Sequence, residues 1–327
     1  MEFYSKVKNN DGIIKPVSKD LLLSELTKDR LLRKTNYASN EIYLFKHSDC
    51  PNLMRELGRL REITFRNAGG GTGNEVDIDQ FDISDDVPYC QIIVWDPFHK
   101  QIVGGYRFML CEYAVDNPNE KLATGHLFNF SKKFTSEYMP YTIELGRSFI
   151  QPEYQLLKNF RRGLFALDNL WDGIVAVTHE YKHIKYWFGK FTMYKSYNQQ
   201  ARNILLSFLN LYFPDNDKLI TPIQAIDYNF STNNRLFAGN NFKSDYKKLK
   251  SLLSDYGMKI PPLVNAYMNL SDSMKTFGTA NNVEFGDVEE TGILITIDDL
   301  YQDKKERHLK NYNTIIDINK IYPSKTK

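Results

Sequence analysis

The segment 144–154 places an acid and a base at the end of a predicted strand. Glu144 and Arg147 stand three residues apart, and Pro152 follows where the strand should give way to a turn and a helix. A carboxylate at a strand end can accept a proton from an amine, and a guanidinium group beside it can bind an anion. The spacing favours a site that handles an amine next to an anionic group. An ordinary surface ion pair is the alternative.

Three further segments carry charged residues that could join this site. Arg61 lies four residues before Phe65 on a predicted helix, and Asp79 and Asp82 stand three residues apart in a connecting segment. Arg107 follows two glycines in a predicted strand. The alternative interpretation is an ion-pair network that only orders loops.

In this order, the four segments resemble the GNAT-fold acyltransferases that use acyl carrier protein. Within them the chain is most similar to the amino-acid N-acyltransferases of ornithine-lipid and glycine-lipid synthesis, often labelled hemolysin-like and related to the acyl-homoserine-lactone (autoinducer) synthases. The shared pattern is an Arg four residues before a Phe, then Asp-x-x-Asp, a Gly-containing strand ending in Arg, and Glu-x-x-Arg. Residues 257–267 (GMKIPPLVNAY) match the Pro-Pro-Leu…Tyr segment of the lipid branch, which the autoinducer synthases lack.

The resemblance implies an α/β architecture with a GNAT-like mixed sheet flanked by helices and with C-terminal helical and strand additions. We expect an N-terminal extension at 1–40, the acyltransferase domain at 41–300 with its elaboration from about residue 214, and a charged C-terminal helix and tail at 301–327. The implied reaction moves a long, 3-hydroxylated acyl group from acyl carrier protein to the α-amine of glycine or ornithine. Its product would be a lyso-aminolipid.

The chemistry of the reaction suggests roles for these residues. An α-amine is mostly protonated near neutral pH and must lose a proton before it attacks a thioester. Glu144 is our first candidate for the base and Asp79 the second, with Arg147 completing the catalytic set. Arg107 or Arg147 would hold the acceptor carboxylate through a bidentate pair. The residues predicted to bind substrate are Arg61, Phe65, Asp82, Arg107 and Phe149, and aromatic side chains near Phe65, Tyr106 and Phe149 would line an acyl tunnel.

Strand geometry leaves one question open. Residues three apart in a regular strand point to opposite faces, so either a bulge brings Glu144 and Arg147 together or the two have separate partners. In GNAT folds a bulged central strand offers backbone N–H groups to the oxyanion of the tetrahedral intermediate. The resemblance implies such donors near residues 144–149.

The donor should also leave a trace in the sequence. Residues 155–163 contain one glycine and three cations, Lys158, Arg161 and Arg162. Phosphopantetheine on a protein carries one phosphodiester and no pyrophosphate, so a weaker phosphate cradle suffices than for CoA. The three cations would meet the acidic surface of acyl carrier protein, although a solvated basic face is the alternative. The implied donor is the acyl-phosphopantetheine of that carrier, with CoA as the alternative, and no tightly bound cofactor or metal is expected.

Composition limits the class of protein. The 327 residues carry a net charge of +2, which is too small to indicate a nucleic-acid partner. Three widely spaced cysteines and a polar N-terminal segment favour a reducing compartment without a secretory signal. We expect a cytoplasmic enzyme with peripheral contact to the inner membrane face. The alternatives are a CoA-dependent acetyltransferase, an autoinducer synthase and a non-enzymatic hemolysin-like lipid-binding protein.

Hydrophobic periodicity predicts the elements that must position these residues. A hairpin is predicted at 89–96 and 101–110, and residues 67–74 and 214–241 are predicted to be loops. Asp49 is a plausible cap for the first long helix. The other predicted strands are at 41–46, 142–150, 184–194 and 292–297, and the helices are at 51–66, 164–181, 199–213, 242–256, 261–270 and from 298 onward.

Overall fold

The computed structural model describes residues 11–155, 163–227, 236–310 and 312–325. The strands are β1 (Leu31–Lys34), β2 (Glu41–Phe45), β3 (Cys90–Asp96), β4 (Gln101–Leu110), β5 (Phe128–Phe130), β6 (Thr142–Ile150), β7 (Tyr186–Met193), β8 (Ile220–Pro222), β9 (Lys275–Asn282) and β10 (Val288–Thr296). The helices are α1 (Lys19–Glu25), α2 (Pro51–Ala68), α3 (Pro118–Lys121), α4 (Ala166–Glu180), α5 (Gln199–Tyr212), α6 (Phe242–Asp255), α7 (Pro262–Met268), α8 (Gln302–Leu309) and α9 (Ile318–Ile321).

Eight strands form one mixed sheet in the order β1-β2-β3-β4-β6-β7-β10-β9. The pair β6–β7 is parallel, and the other neighbours in this sheet are antiparallel. The predicted hairpin is confirmed, since β3 pairs with β4 from Cys90↔Phe108 to Asp96↔Gln101. The predicted α/β fold, a mixed sheet flanked by helices, is also confirmed.

Alternating side chains give the sheet two apolar faces. On β3, Ile92 and Val94 belong to the cluster that packs under α4, α5 and α7, whereas Ile93 and Trp95 belong to the cluster under α2. This is the period of two expected for a strand buried on both faces. We call these the α4 face and the α2 face.

The parallel pair β6–β7 separates before either strand ends. Their register runs from Thr142↔Tyr186 to Leu145↔Gly189, yet β6 continues to Ile150 and β7 to Met193. Beyond Leu145, β6 therefore keeps its pairing with β4 but has none with β7. The sheet is open along this stretch, directly after Glu144.

Several elements differ from the sequence prediction. β9 was not predicted because its sequence, KTFGTANN, is polar and contains Gly and Asn, which are unfavourable in strands. It lies at the sheet edge, where such a sequence is tolerated. β8, which pairs with β5, lies within the predicted loop 214–241, and β1 joins the sheet edge from within the predicted N-terminal extension.

The start of α2 corrects a prediction. Asp49 was predicted to cap this helix, but the N-cap residue is Cys50 and no side chain at the cap position bonds the first turn. Instead, the carboxylate of Glu25 at the end of α1 accepts from the backbone N–H of Asn52 at 3.0 Å and of Leu53 at 2.7 Å. A tertiary contact supplies what the local sequence suggested Asp49 would do.

Candidate active site

A cavity of about 1370 Å³ lies at the opening between β6 and β7. Its wall includes Leu145 and Tyr106 from the α4-face cluster and Phe149 from the α2-face cluster. A cavity with walls on both faces has to pass through the sheet, and the separation of β6 from β7 provides the passage. Two reactants that enter from opposite faces can meet there.

Glu144 lines this cavity at the point where the strands part. Its side chain is buried, with the residue only 1% exposed. The Tyr89 hydroxyl donates to Oε2, and the backbone N–H of Thr124 donates to Oε1 at 3.1 Å. Burial raises the pKa of Glu144, against the opposing effect of these hydrogen bonds. The carboxylate is thus held in one orientation with an increased affinity for a proton.

The predicted residues of α2, the 77–82 segment and β4 converge in a buried network. Arg107 contacts Asp79 at 2.6 Å and Asp82 at 3.0 Å. Arg61 contacts the same oxygen of Asp82, Oδ2, at 3.1 Å, and Gln91 donates to Oδ1 at 2.9 Å. Arg61, Asp82 and Arg107 are almost fully buried, and their opposite charges compensate one another, although the Nε atoms of both arginines have no hydrogen-bond partner among the described residues. The ion-pair network that the sequence left as an alternative does exist, and Asp79 and Arg107 also face the cavity.

Arg147 occupies a bulge in β6. Gly105 pairs with Phe149 and Arg107 with Gly146, so two residues of β6 oppose one residue of β4. Arg147 adopts φ +51° there, in the left-handed region, and its guanidinium contacts Asp77 at 3.1 Å and Asp79 at 3.2 Å. The bulge is present, but Glu144 and Arg147 have separate partners.

The environment of Asp79 differs from that of Glu144. Burial would raise the pKa of Asp79, but the guanidinium groups of Arg107 and Arg147 outweigh it and hold the pKa below its usual range. A carboxylate shared by two guanidinium groups is a weak proton acceptor. Asp79 therefore suits the placement of the two arginines better than proton transfer.

The predicted aromatic residues line the same cavity. Phe65, Tyr106 and Phe149 all contribute to its wall. The Phe65 ring meets Phe149 edge-on with centroids 6.3 Å apart, and meets Phe285 at 5.1 Å. The Arg147 guanidinium lies 4.4 Å from the centre of the Phe285 ring. Aromatic packing and the bulge thus stabilise one another on the α2 face.

A second polar group in the cavity was not predicted from the sequence. Lys190 on β7 forms a buried ion pair with Glu290 on β10, which also accepts from Thr192 at 3.1 Å and from Asn282 at 2.9 Å. All four residues line the cavity. The sequence offers one signal of this pair, a lysine inside an otherwise apolar strand. If β7 is buried, Lys190 needs an acidic partner from a neighbouring element.

The three cations predicted to bind the acyl carrier, Lys158, Arg161 and Arg162, lie outside the described residues. Gln155 and Gly163, near the two sides of that segment, line the cavity.

No group of three or more His, Cys, Asp or Glu side chains within the described ranges could hold a metal ion. In the same ranges, no helix has the length and apolar character needed to cross a membrane.

Comparison with known proteins places this chain in a family. The family model for the acetyltransferase (GNAT) domain matches residues 60–162. Glycine N(alpha)-acyltransferase of Phocaeicola vulgatus is 51% identical over 306 residues, which cover 92% of this chain and 94% of the relative. Glycine N(alpha)-acyltransferase of Bacteroides thetaiotaomicron is 52% identical over 306 residues, covering 92% of this chain and 90% of the relative. No solved structure matches the chain.

Proposed function

The chain belongs to the glycine N(alpha)-acyltransferase family, and we propose that it transfers a long, 3-hydroxylated fatty acyl group to the α-amine of glycine. It is an acyltransferase with a GNAT domain. The names of both relatives favour glycine over ornithine, the other acceptor suggested by the sequence. The product would be a lyso-aminolipid, an N-acyl amino acid that a separate O-acyltransferase could complete.

The observation that carries this proposal is the position of Glu144 at the opening between β6 and β7. Glycine enters as an ammonium ion, and Glu144 takes its proton. The free amine then attacks the thioester carbonyl and the C–N bond forms. As the tetrahedral intermediate collapses, the C–S bond breaks and the proton that the nitrogen gives up goes to the departing thiolate, while the proton on Glu144 is released to solvent. Burial supports the role of base because it raises the pKa of Glu144 toward the working pH.

The β6 backbone beyond Leu145 suits the developing oxyanion. β6 continues for five residues past its last pairing with β7, which frees amide groups on that edge. Preorganised N–H donors at such a position stabilise a tetrahedral intermediate without reorganisation. The bulge at Arg147 turns the strand locally and is the feature that the resemblance implied for this role.

Arg107 is our candidate for the acceptor carboxylate. Its Nε is buried and has no hydrogen-bond partner among the described residues. Gly146 leaves this atom uncovered, since a Cβ added there would lie 3.6 Å from it. We therefore assign Arg107 to the glycine carboxylate, with Asp79 and Asp82 fixing its orientation. Arg147 keeps the 77–79 segment in place.

The donor is proposed to be the acyl-phosphopantetheine of acyl carrier protein, with CoA as the alternative. The predicted carrier surface at Lys158, Arg161 and Arg162 belongs to this proposal and should be tested directly. Matched acyl chains on acyl carrier protein and on CoA would be compared by kcat/KM. A preference for the carrier that falls when all three cations are changed to Ala supports it, whereas a preference for CoA contradicts it.

An amphiphilic product also suggests a cytoplasmic enzyme in peripheral contact with the inner membrane face.

The function is tested with purified protein, acyl donor and a panel of amino acids. We expect an N-acylglycine by mass spectrometry, and the Glu144→Gln variant should lower kcat by about 10²- to 10⁴-fold, the usual contribution of a general base. Glu112→Gln is the control because Glu112 is buried but does not line the described cavity. No amide product, or full activity in Glu144→Gln, would overturn the proposal.

A further inference from the structure

One lobe of the cavity is apolar and lies on the α4 face. Its wall is formed by aliphatic side chains of β6, α4 and α7, namely Leu145, Ile150, Ala166, Leu167, Leu170, Leu263 and Val264. Gln155 and Lys259, which also line the cavity, are exposed and mark its solvent side. The α2-face lobe instead carries Glu144, Asp79, Arg107 and Lys190. A zwitterionic acceptor suits the charged lobe, and an alkyl chain suits the apolar one.

Two tyrosine hydroxyl groups interrupt this apolar lobe. Tyr106 on β4 is 2% exposed and Tyr267 on α7 is 6% exposed, and both line the cavity. Their hydroxyl groups lie beside one another, with Ser148 next to Tyr106. Yet the Tyr106 hydroxyl makes no well-formed hydrogen bond with any described residue. A buried hydroxyl whose contacts to its two neighbours fall outside good hydrogen-bond geometry is costly, and a ligand between them can supply the better partner.

The register of the sheet places Tyr106 close to the opening between β6 and β7. Tyr106 stands opposite the bulge at Arg147 and Ser148, because its neighbours Gly105 and Arg107 pair with Phe149 and Gly146. The bulge begins two residues after Leu145, where β6 and β7 part. A thioester held in the opening would therefore have the first carbons of its acyl chain near Tyr106.

Resting on the proposed function, we propose that the hydroxyl groups of Tyr106 and Tyr267 bind a hydroxyl substituent on the donor's acyl chain, close to its thioester. An amide-bearing pantetheine arm would need more polar partners than this lobe offers, whereas an alkyl chain with one hydroxyl group matches its wall. The pair can both donate to and accept from such a group. The pair thus favours donors whose acyl chain carries a hydroxyl group over donors whose chain lacks one.

The protonation state of the pair agrees with this role. Burial raises the pKa of both Tyr106 and Tyr267, so they stay neutral phenols at working pH. Neutral phenols offer a donor and an acceptor without placing a charge beside the alkyl chain. A site built to bond a hydroxyl group discriminates against the analogue that lacks it, because its own polar atoms are then left unpaired.

The test compares 3-hydroxyhexadecanoyl and hexadecanoyl chains on the same carrier, with glycine as acceptor. We expect the wild-type protein to favour the hydroxylated donor by about tenfold or more in kcat/KM. Tyr106→Phe and Tyr267→Phe should reduce this ratio to within about threefold of unity, mainly by slowing the hydroxylated donor. Tyr154→Phe is the matched control, because Tyr154 lines the cavity but its hydroxyl donates to Asp96 at 2.8 Å. Its donor ratio should equal that of the wild type.

The outcomes separate this inference from the proposed function. A wild-type protein that acylates glycine equally well from both donors overturns the hydroxyl subsite and leaves the acyltransfer intact. Variants that slow both donors equally also overturn it. If neither donor yields N-acylglycine with the wild type, both the proposed function and this inference fail. If a tyrosine variant does not fold, the ratio of kcat/KM for the two donors is measured in the wild type and in Ser148→Ala. Equal use of both donors by the wild type, with the same ratio in Ser148→Ala, would contradict the subsite.

Discussion

At the scale of single residues, two carboxylates in one cavity have opposite properties. Glu144 is held by a phenol and a backbone amide, and burial raises its pKa. Asp79 is held by two guanidinium groups, and its pKa lies below the usual range. The difference supports our proposal that Glu144 is the proton acceptor and that Asp79 fixes the arginines, although the sequence offered both as bases.

This difference predicts a pH profile. The base must be ionised to act, so kcat/KM should rise with pH through the raised pKa of Glu144, which lies above its ordinary value of 4.5. Asp79→Asn should keep that acid limb because Asp79 is not the group that titrates. The variant should still lose up to about a hundredfold in kcat/KM, because Arg107 and Arg147 lose their shared partner. If the acid limb moves or vanishes in Asp79→Asn, the assignment of the base is wrong.

The same network predicts how stability depends on pH. The folded-state pKa values of Asp79 and Asp82 are depressed, so their stabilisation is present above the unfolded value of about 3.9 and is lost as the pH falls toward the folded values. The free energy of unfolding should therefore decline below about pH 4, as measured by urea denaturation. Asp79→Asn should decline less steeply, and an equally steep decline in this variant would contradict the account.

At the scale of elements, the long helix α2 depends on a carboxylate from another element. Glu25 accepts from two backbone N–H groups at its start. Glu25→Ala should lower the free energy of unfolding by about 1–2 kcal/mol, as expected for the loss of a helix cap. Asp49→Ala is the control, and its effect on thermal or urea unfolding should be within about 0.5 kcal/mol, because Asp49 bonds no N–H of the first turn. A larger effect in Asp49→Ala would restore the cap predicted from the sequence.

At the scale of the whole molecule, the edge of the sheet is joined to the C-terminal part of the chain. Arg33 on β1 is buried and donates to the carbonyl oxygen of His308 on α8 at 2.6 Å. His308 in turn contacts Asp172 on α4 at 2.8 Å. The N-terminal strand β1 and the C-terminal helix α8 therefore meet beside α4. Both elements are far from Glu144 in the sequence. The predicted boundaries at residues 40 and 300 stay predictions, but β1 and α8 both contact the central sheet and its helices.

These contacts should stabilise the fold without entering the reaction. Arg33→Met should lower the free energy of unfolding by about 1–3 kcal/mol, because it removes the hydrogen bonds from Arg33 to the carbonyl oxygens of Lys34 and His308 and leaves the latter only the long contact from Asn36. Glycine acylation at a temperature where the variant is folded should be unchanged. Lys34→Met is the matched control, since Lys34 is the exposed neighbour on the same strand. A loss of kcat in Arg33→Met at constant folded fraction would show that the sheet edge influences the site.

Local patterns predicted much of the fold. The hairpin β3–β4, the strand β6 and the helices near 51–68 and 199–212 follow from hydrophobic periodicity, because their apolar residues repeat at the period of the element. β9 could not be predicted in this way. Its polar residues are accommodated only because β10 lies beside it, and a neighbour in space leaves no trace in the local sequence.

The sequence by itself determined which residue types could do acyl-transfer chemistry, since the spacing of Glu144 and Arg147 and the order of the Arg and Asp residues are properties of the chain. Only the tertiary structure decided their partners. It separated Glu144 from Arg147, joined Asp79 to two arginines, and brought Lys190 and Glu290, 100 residues apart, into one ion pair. The physical reason is that the pKa and orientation of a buried group depend on its neighbours in space. Those neighbours come from strands that meet only when the sheet is complete.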